Sequence, residues 1–162
     1  MATFTAIKNR GGGRGALGGV LRYTQQEEKT LWEGQQLVTG WNCTAQSALS
    51  EMQLTKERFR KTNGKQYYHF VQSFSEQDNL TPQEAHATGL ELAQREFPDF
   101  EVLVATHVDT DHLHNHLVVN SVSSGMVISS IRVLRTCRRI GWPTMRSASL
   151  TVWRSCRRLK NR

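Results

Sequence analysis

The spacing of hydrophobic and polar residues along this chain predicts four strands. Polar and apolar residues alternate over Thr3–Ile7, as in a half-buried strand, and Tyr67–Phe74 is rich in aromatic and β-branched residues. Glu101–His107 and Leu113–Val122 are two further apolar segments, adjacent in the chain and separated by an acidic turn. Because so short a connection favours a hairpin, we expect the last two strands to pair antiparallel.

Three segments between these strands have the spacing or the capping residues of helices. They are Ala16–Tyr23, a segment from Thr44 as N-cap to about Lys61, and a segment from Thr81 to about Glu96. The last one begins with Thr81, Pro82 and Glu84, which predict a capping box with proline in the first turn. A short extended segment is expected around Gly40, over residues 36–38 and 41–43. The order of elements predicts an α+β fold, an antiparallel sheet covered by helices on one of its faces.

Length and composition narrow the class of protein. The 162 residues suit one ordinary domain. The chain has no run of about 18 apolar residues and no apolar signal core at its start, so we expect no membrane insertion. Its three cysteines are an odd number without metal-type spacing, which disfavours a disulfide framework. These features predict a cytoplasmic protein.

The net charge of +7 is unevenly distributed. Residues 125–162 contain ten Lys or Arg and no acidic residue, whereas residues 1–124 contain eleven basic residues and all fourteen acidic ones. Near the N-terminus, four cations precede the first acid, Glu27, and form a candidate DNA-binding cluster: Lys8, Arg10, Arg14 and Arg22. A solvated basic face is the alternative interpretation of the same four residues.

Four of the six histidines and two acidic residues lie within residues 107–116. Side chains alternate along a strand, so His114 and His116 share one face, and His107 ends the preceding strand within reach of them. Three neutral imidazoles that converge in this way form a site for a divalent metal, with positions left for substrate oxygens. His112 lies in the predicted turn, where strand alternation does not set its direction. We therefore predict His107, His114 and His116 as the ligands.

Asp109 and Asp111 are placed to accept the second ring N–H of a ligand histidine and so to fix its tautomer. A solvated histidine-rich turn and a structural zinc site are the alternatives, although structural zinc sites usually contain cysteine and none is near. A metal-binding module that contacts DNA without catalysis is the corresponding alternative function.

The segment 107–120, HVDTDHLHNHLVVN, resembles motif III of mobilisation-type, MOBP-like relaxases. Residues 15–23 with 28–30 resemble the family's first motif, whose tyrosine is the nucleophile, and residues 37–43, 68–74 and 80–84 follow in the expected order. The resemblance covers about residues 3–124. One departure is Asn115, which stands between His114 and His116 where the His-hydrophobe-His nuclease superfamily has an apolar residue.

This resemblance implies a fold and a reaction. The fold is an antiparallel sheet with the paired histidines on a central strand. The reaction is nicking and rejoining of single-stranded DNA at a transfer origin, in which Tyr23 forms a 5′-phosphotyrosyl link. A divalent metal, Mg²⁺ or Mn²⁺, would act as Lewis acid, and Asp111, or second Asp109, would orient His107 or assist proton transfer. The family also implies a relaxosome accessory protein and a coupling protein as partners.

Three further residues are candidate DNA contacts. His69 and Ser73 share one face of their predicted strand, and Lys29 follows two acidic residues. Structural hydrogen bonding and a surface ion pair are the ordinary roles of such residues. Gly13–Gly18 also matches the Gly-x-Gly-x-x-Gly fingerprint of a nucleotide-binding oxidoreductase, but the alternating pattern of the preceding strand disfavours a buried parallel strand there.

Residues 125–162 differ in composition from everything before them, so we predict a catalytic core over 1–124 and a basic tail over 125–162. Relaxases usually continue with Asp-Gly and a mixed-charge helix after this strand. A shifted reading frame at Gly125–Val127 permits Asp-Gly, and we expect a frameshift to have replaced the native continuation, which leaves the fold truncated at its C-terminus. A basic, disordered arm that binds the DNA backbone is the alternative.

Overall fold

The structure is a computed structural model that describes residues 2–8, 13, 15–61 and 63–123. Its strands are β1 (Thr3–Ala6), β2 (Leu31–Trp32), β3 (Gln35–Gln36), β4 (Val38–Trp41), β5 (Tyr67–Ser73), β6 (Phe100–His107) and β7 (His114–Ser123). Its helices are α1 (Ala16–Thr24), α2 (Glu27–Thr30), α3 (Ala48–Arg58) and α4 (Pro82–Glu96), with a 3₁₀ turn at Glu76–Asp78. The basic tail and the predicted DNA contacts Arg10 and Arg14 lie outside the described residues.

Five strands form one sheet in the order β1-β5-β7-β6-β4, and every described pair of strands is antiparallel. The predicted α+β fold with an antiparallel sheet is therefore confirmed, and so is the hairpin of the last two strands. A dinucleotide-binding fold would need parallel strands at its glycine-rich turn. In the described residues β1 instead pairs antiparallel with β5, which excludes that alternative.

Helices cover both faces of the sheet, which corrects the expectation of a single covered face. On one face α4 packs against β6 and β7, with Leu92 in a cluster that contains Val104 and Leu117. On the other face α1 and α3 pack against the same strands, where Leu17, Met52, Leu103 and Val118 form a second cluster. The physical reason is that β6 and β7 have continuous apolar runs at their centres, and a strand buried on both sides needs such a run.

The capping prediction was right for α4 and wrong for α3. Thr81 caps α4 and forms the expected reciprocal pair with Glu84. The N-cap of α3 is Ser47, not Thr44. After the close approach of Gly40 to the Cys43 carbonyl group, which only glycine allows, the chain makes a turn over residues 45–47 in which Ser47 N donates to the Thr44 carbonyl oxygen at 3.2 Å. The helix can begin only after that turn.

The sequence pattern missed α2 and the ribbon formed by β2 and β3. Each of these strands has two residues, too few for a periodicity to appear. The turn between them places Glu33 and Gly34 at φ 48° and 79°, as a two-residue hairpin turn requires. Among the described residues, no helix is both long and apolar enough to cross a membrane.

Candidate active site

The ends of β6 and β7 bring three histidines together on the face of the sheet that α1 covers. His107 is paired with His114 across the hairpin, and His116 is paired with Ala105. The ring centroids lie 4.3 Å apart for His107 and His116, 5.0 Å for His114 and His116, and 5.1 Å for His107 and His114. One nitrogen from each ring lies within 4.8 Å of the other two. The structure thus assembles the group that strand alternation predicted.

Each of these histidines has one ring nitrogen engaged by another protein atom. His107 Nε2 is 3.2 Å from the Thr24 carbonyl oxygen, and His114 Nδ1 is 3.0 Å from the His112 carbonyl oxygen. A carbonyl oxygen can only accept, so both nitrogens carry their proton and donate it. His116 Nδ1 lies 2.8 Å from His69 Nε2. The second nitrogen of each ring is left for the centre of the group.

The donor set fits a divalent cation. His116 Nε2 is buried and has no hydrogen-bond partner in the described part of the chain, which is unusual for a polar atom inside a protein. Burial, and after it the neighbouring His107, lowers the pKa of His116 to about 3. Burial also lowers the pKa of His107. Both rings are therefore neutral at neutral pH and offer lone pairs, as metal ligands must.

Tyr23 lies beside this group at the end of α1. The buried face of α1 consists of Leu17, Leu21 and Thr24. Tyr23 points away from this face and is 46% exposed. Its ring meets His107 and His116 edge-on, with centroids 5.7 and 6.0 Å away. A phenol that is open to solvent on one side and next to two imidazoles of the group on the other can meet both a substrate and a bound ion.

Asp109 has a different partner from the one expected. Its carboxylate accepts a hydrogen bond of 2.8 Å from Lys29 Nζ and not from a ligand histidine. This bond holds the pKa of Asp109 below its usual value and raises the pKa of Lys29. The Lys29 carbonyl accepts from Val108 N at 2.8 Å, and Lys29 Nζ lies 5.6 Å from the Tyr23 ring centre. Lys29 therefore links the loop after β6 to the tyrosine.

Asp111 and His112 both lie on the exposed loop between β6 and β7. Among the described residues Asp111 makes no hydrogen bond, so it does not accept a ring N–H as the sequence predicted. His112 points its Nδ1 toward Glu76, 3.9 Å away, and does not join the group of three. Carbonyl groups and His69 take the place of the two expected carboxylates because they lie directly behind the rings.

Behind the histidines, on the α4 face, a chain of buried polar groups runs across four strands. Asn115 Nδ2 donates to Gln72 Oε1 at 3.0 Å and to the Ala85 carbonyl oxygen at 2.6 Å. Thr106 Oγ1 donates to Asn115 Oδ1 at 2.6 Å and lies 2.8 Å from His86 Nδ1. His86 Nε2 in turn lies 2.8 Å from Thr39 Oγ1. Asn115 thus occupies the apolar position of the family pattern with its polar atoms satisfied.

Sequence reasoning missed His86 and the role of Asn115. The available signal was the alternation of β7, because a residue between two ligands on a strand must face the opposite side of the sheet. A polar residue there had to find buried partners.

The remaining predicted DNA contacts are dispersed. Lys8 follows β1 at the edge of the sheet and is exposed, as is Arg22 on α1. Ser73 is half-buried opposite His114 in the register. His69 shares the face of Ser73 but is buried, at 9% exposure. These positions leave the DNA-binding assignments as predictions.

Comparison with known proteins agrees with the family resemblance. The family model described as relaxase, MobA/VirD2-like, nuclease domain, matches residues 23–140. Protein rlx of Staphylococcus aureus is 42% identical over 81 residues, which are 50% of this chain and 24% of that protein. Group II intron-interrupted relaxase LtrB of Lactococcus lactis subsp. cremoris is 40% identical over 68 residues, 41% of this chain and 12% of that protein. No solved structure matches. The matched part of this chain therefore corresponds to a quarter or less of these relatives.

Proposed function

This chain belongs to the MobA/VirD2-like relaxase nuclease family, and from that membership we propose that it nicks and rejoins single-stranded DNA at a transfer origin. One observation carries the proposal: a half-exposed tyrosine stands in ring contact with two members, His107 and His116, of a group of three histidines that could hold a metal ion. A metal-binding module without catalysis would have no use for Tyr23 in that place.

We propose His107, His114 and His116 as the ligands of a divalent metal. When bound, the ion would supply Lewis-acid stabilisation of the charge on the scissile phosphate. Imidazole nitrogen suits transition metals better than it suits Mg²⁺, which prefers oxygen ligands. Of the two ions expected from the family, the all-histidine set therefore favours Mn²⁺.

Tyr23 is the proposed nucleophile. Its Oη attacks the phosphorus atom of one phosphodiester, and a new O–P bond joins the tyrosine to the 5′ side of the nick. The bond from phosphorus to the 3′ oxygen of the preceding nucleotide breaks, the phenol loses its proton and the 3′ oxygen gains one. One phosphodiester bond is exchanged for another, so attack by the 3′-hydroxyl in the reverse direction rejoins the strand.

The phenol proton needs an acceptor, and Asp111 is the first candidate. The ion pair with Lys29 lowers the pKa of Asp109 by stabilising its charged carboxylate, which makes Asp109 a poorer base. Lys29 is better suited to hold a phosphate oxygen beside Tyr23. Further DNA contacts are proposed from Lys8, Arg10, Arg14, Arg22 and Ser73, whereas His69 is buried against His116. The accessory and coupling proteins of the family are the proposed partners.

We further propose that residues 1–124 form the catalytic core and that 125–162 arose by a frameshift. The support is the change in composition, because residues 125–162 contain ten basic and no acidic residues. The family match itself extends past this boundary to residue 140. Sequencing of the encoding DNA tests the idea, because the alternative frame should encode Asp-Gly followed by a mixed-charge helix. An alternative frame without such a segment would leave the basic arm as the better interpretation.

A covalent adduct is the direct test of the proposed reaction. Labelled single-stranded oligonucleotides tiled across the DNA that flanks the gene are incubated with the protein and Mn²⁺, and an SDS-resistant protein–DNA band is expected. Tyr23→Phe should abolish the band, whereas Tyr68→Phe, on the opposite face of the sheet, should retain it. A band that survives Tyr23→Phe, or one that persists unchanged in EDTA, would refute the assignment.

A further inference from the structure

His69 has a contact that a DNA-groove residue would not need. It lies on β5 beside Val118 in the register, two positions along from the pairing of Val71 with His116. Its ring is therefore the diagonal neighbour of His116 on the same face, and the two centroids are 5.0 Å apart. The short distance between His69 Nε2 and His116 Nδ1, 2.8 Å, is that of a hydrogen bond.

A hydrogen bond between two neutral imidazoles can have either direction. If His116 Nδ1 carries the proton, it donates to His69 Nε2, and His116 Nε2 is left with a bare lone pair. If His69 Nε2 carries a proton, it donates the hydrogen bond and His116 Nδ1 is the acceptor. The single proton of the neutral His116 ring must then be on Nε2. Only the first direction leaves His116 able to bind a cation through the nitrogen that faces the group.

The other two histidines have no such freedom. Carbonyl oxygens of Thr24 and His112 fix their outer nitrogens as donors, and so fix their inner nitrogens as bare. Among the residues that the structure describes, no carbonyl takes that place at His116, and its buried Nε2 has no hydrogen-bond partner. The ring of His69 therefore has to supply the hydrogen-bond acceptor for His116 Nδ1 that main-chain carbonyl groups supply for His107 and His114.

We infer that His69 is a positioning residue whose Nε2 accepts a hydrogen bond from the Nδ1–H of His116 and thereby keeps His116 Nε2 unprotonated toward the proposed metal centre. His69 is not itself a ligand. The inference rests on the proposed metal site of His107, His114 and His116, but the proton position it specifies is a property of the metal-free protein. Outer-sphere partners of this kind typically change metal affinity by about 10- to 100-fold when removed.

Nitrogen-detected histidine NMR of the metal-free chain locates the proton. Wild type should show His116 protonated at Nδ1 and bare at Nε2, with His69 bare at Nε2. His69→Phe, which fills the ring volume without an acceptor, should give His116 in mixed tautomers. His69→Gln should restore the wild-type tautomer, since its amide oxygen can accept at a similar reach. A wild-type spectrum with His116 protonated at Nε2, or an unchanged His116 tautomer in His69→Phe, overturns the inference.

Calorimetric titration with Mn²⁺ alone gives the second readout. We expect His69→Phe to lose about 10- to 100-fold in affinity and His69→Gln to recover most of it. Tyr67→Phe, two residues away on the same face and equally buried, should bind as wild type does. Wild-type affinity in a folded His69→Phe overturns the inference. Absence of Mn²⁺ binding in the wild type would instead refute the proposed metal site, and the NMR measurement would still decide the tautomer.

Discussion

On one face of β7 His114 and His116 turn toward α1, and on the other face Asn115 turns toward α4. Within the part of the chain that the structure describes, the histidine face keeps an unpartnered buried nitrogen, His116 Nε2, whereas Asn115 uses its amide on three hydrogen bonds. Buried polar groups are normally satisfied, so the open atom supports the proposed metal site, and the closed network is structural support behind it. Because side chains alternate along β7, neighbouring residues place the proposed ligands on one face of the sheet and the supporting hydrogen-bond network on the other.

The largest expected effect comes from removing a proposed metal ligand on the histidine face. His114→Ala should lower Mn²⁺ affinity by more than about 100-fold, beyond the range for an outer partner, because the centre loses a direct donor. His114 is half-buried and its loss should change the melting temperature little. Calorimetry and thermal unfolding measure the two quantities. A stability loss as large as the binding loss would contradict the division between the faces.

Asn115→Leu should have the reverse effect, a large loss of stability and a small change in Mn²⁺ affinity. It restores the apolar residue of the family pattern but leaves the Gln72 amide, the Thr106 hydroxyl and the Ala85 carbonyl with fewer partners under α4. We expect a loss of about 3 kcal/mol in unfolding free energy, since each buried unsatisfied group costs about 1–3 kcal/mol. Urea unfolding tests this. A variant as stable as wild type would mean that the network is dispensable.

Gly89→Ala probes the space behind Asn115. A side-chain carbon at Gly89 would lie 2.5 Å from Asn115 Nδ2, so either the amide or α4 must shift. Overpacking of this kind costs about 1–3 kcal/mol, although alanine favours the helix. Gly19→Ala on α1 is the matched control, because an added side-chain carbon there would meet no other part of the described structure within 4 Å beyond its own helix, and it should not destabilise. Equal melting temperatures for the two variants would argue against a rigid network.

The smallest effect concerns pH. Burial lowers the pKa of His86, which holds two threonine hydroxyls. A histidine with a lowered folded-state pKa contributes its full stability above the unfolded pKa of about 6.5 and loses it as pH falls toward the folded value. His86→Gln should therefore flatten the fall in stability below pH 6.5, as measured by urea unfolding at several pH values. The pKa values of the other buried histidines are also lowered, so part of the fall in stability with falling pH should remain. An unchanged slope would mean that His86 does not titrate with folding.

Much of the fold followed from local patterns. The capping box of Thr81 and Glu84, and the strand pattern on both sides of the acidic loop, predicted α4 and the hairpin. Two-residue strands carry no periodicity, so β2 and β3 could not be predicted in this way. The covering of both faces was missed although the apolar run Leu117–Val119 indicated it, because the alternating pattern of β1 at the sheet edge suggested one solvated face.

For the site, the chain itself determined which histidines could converge, since alternation and a short hairpin are local constraints. Family resemblance singled out Tyr23, and the fold placed its ring in contact with those of His107 and His116. Only the tertiary structure decided which group forms a hydrogen bond with the outer nitrogen of each histidine ring. Thr24 is 83 residues from His107, and His69 is 47 residues from His116. Contacts between such distant residues depend on how sheet and helices pack, and no local pattern of residue types records them.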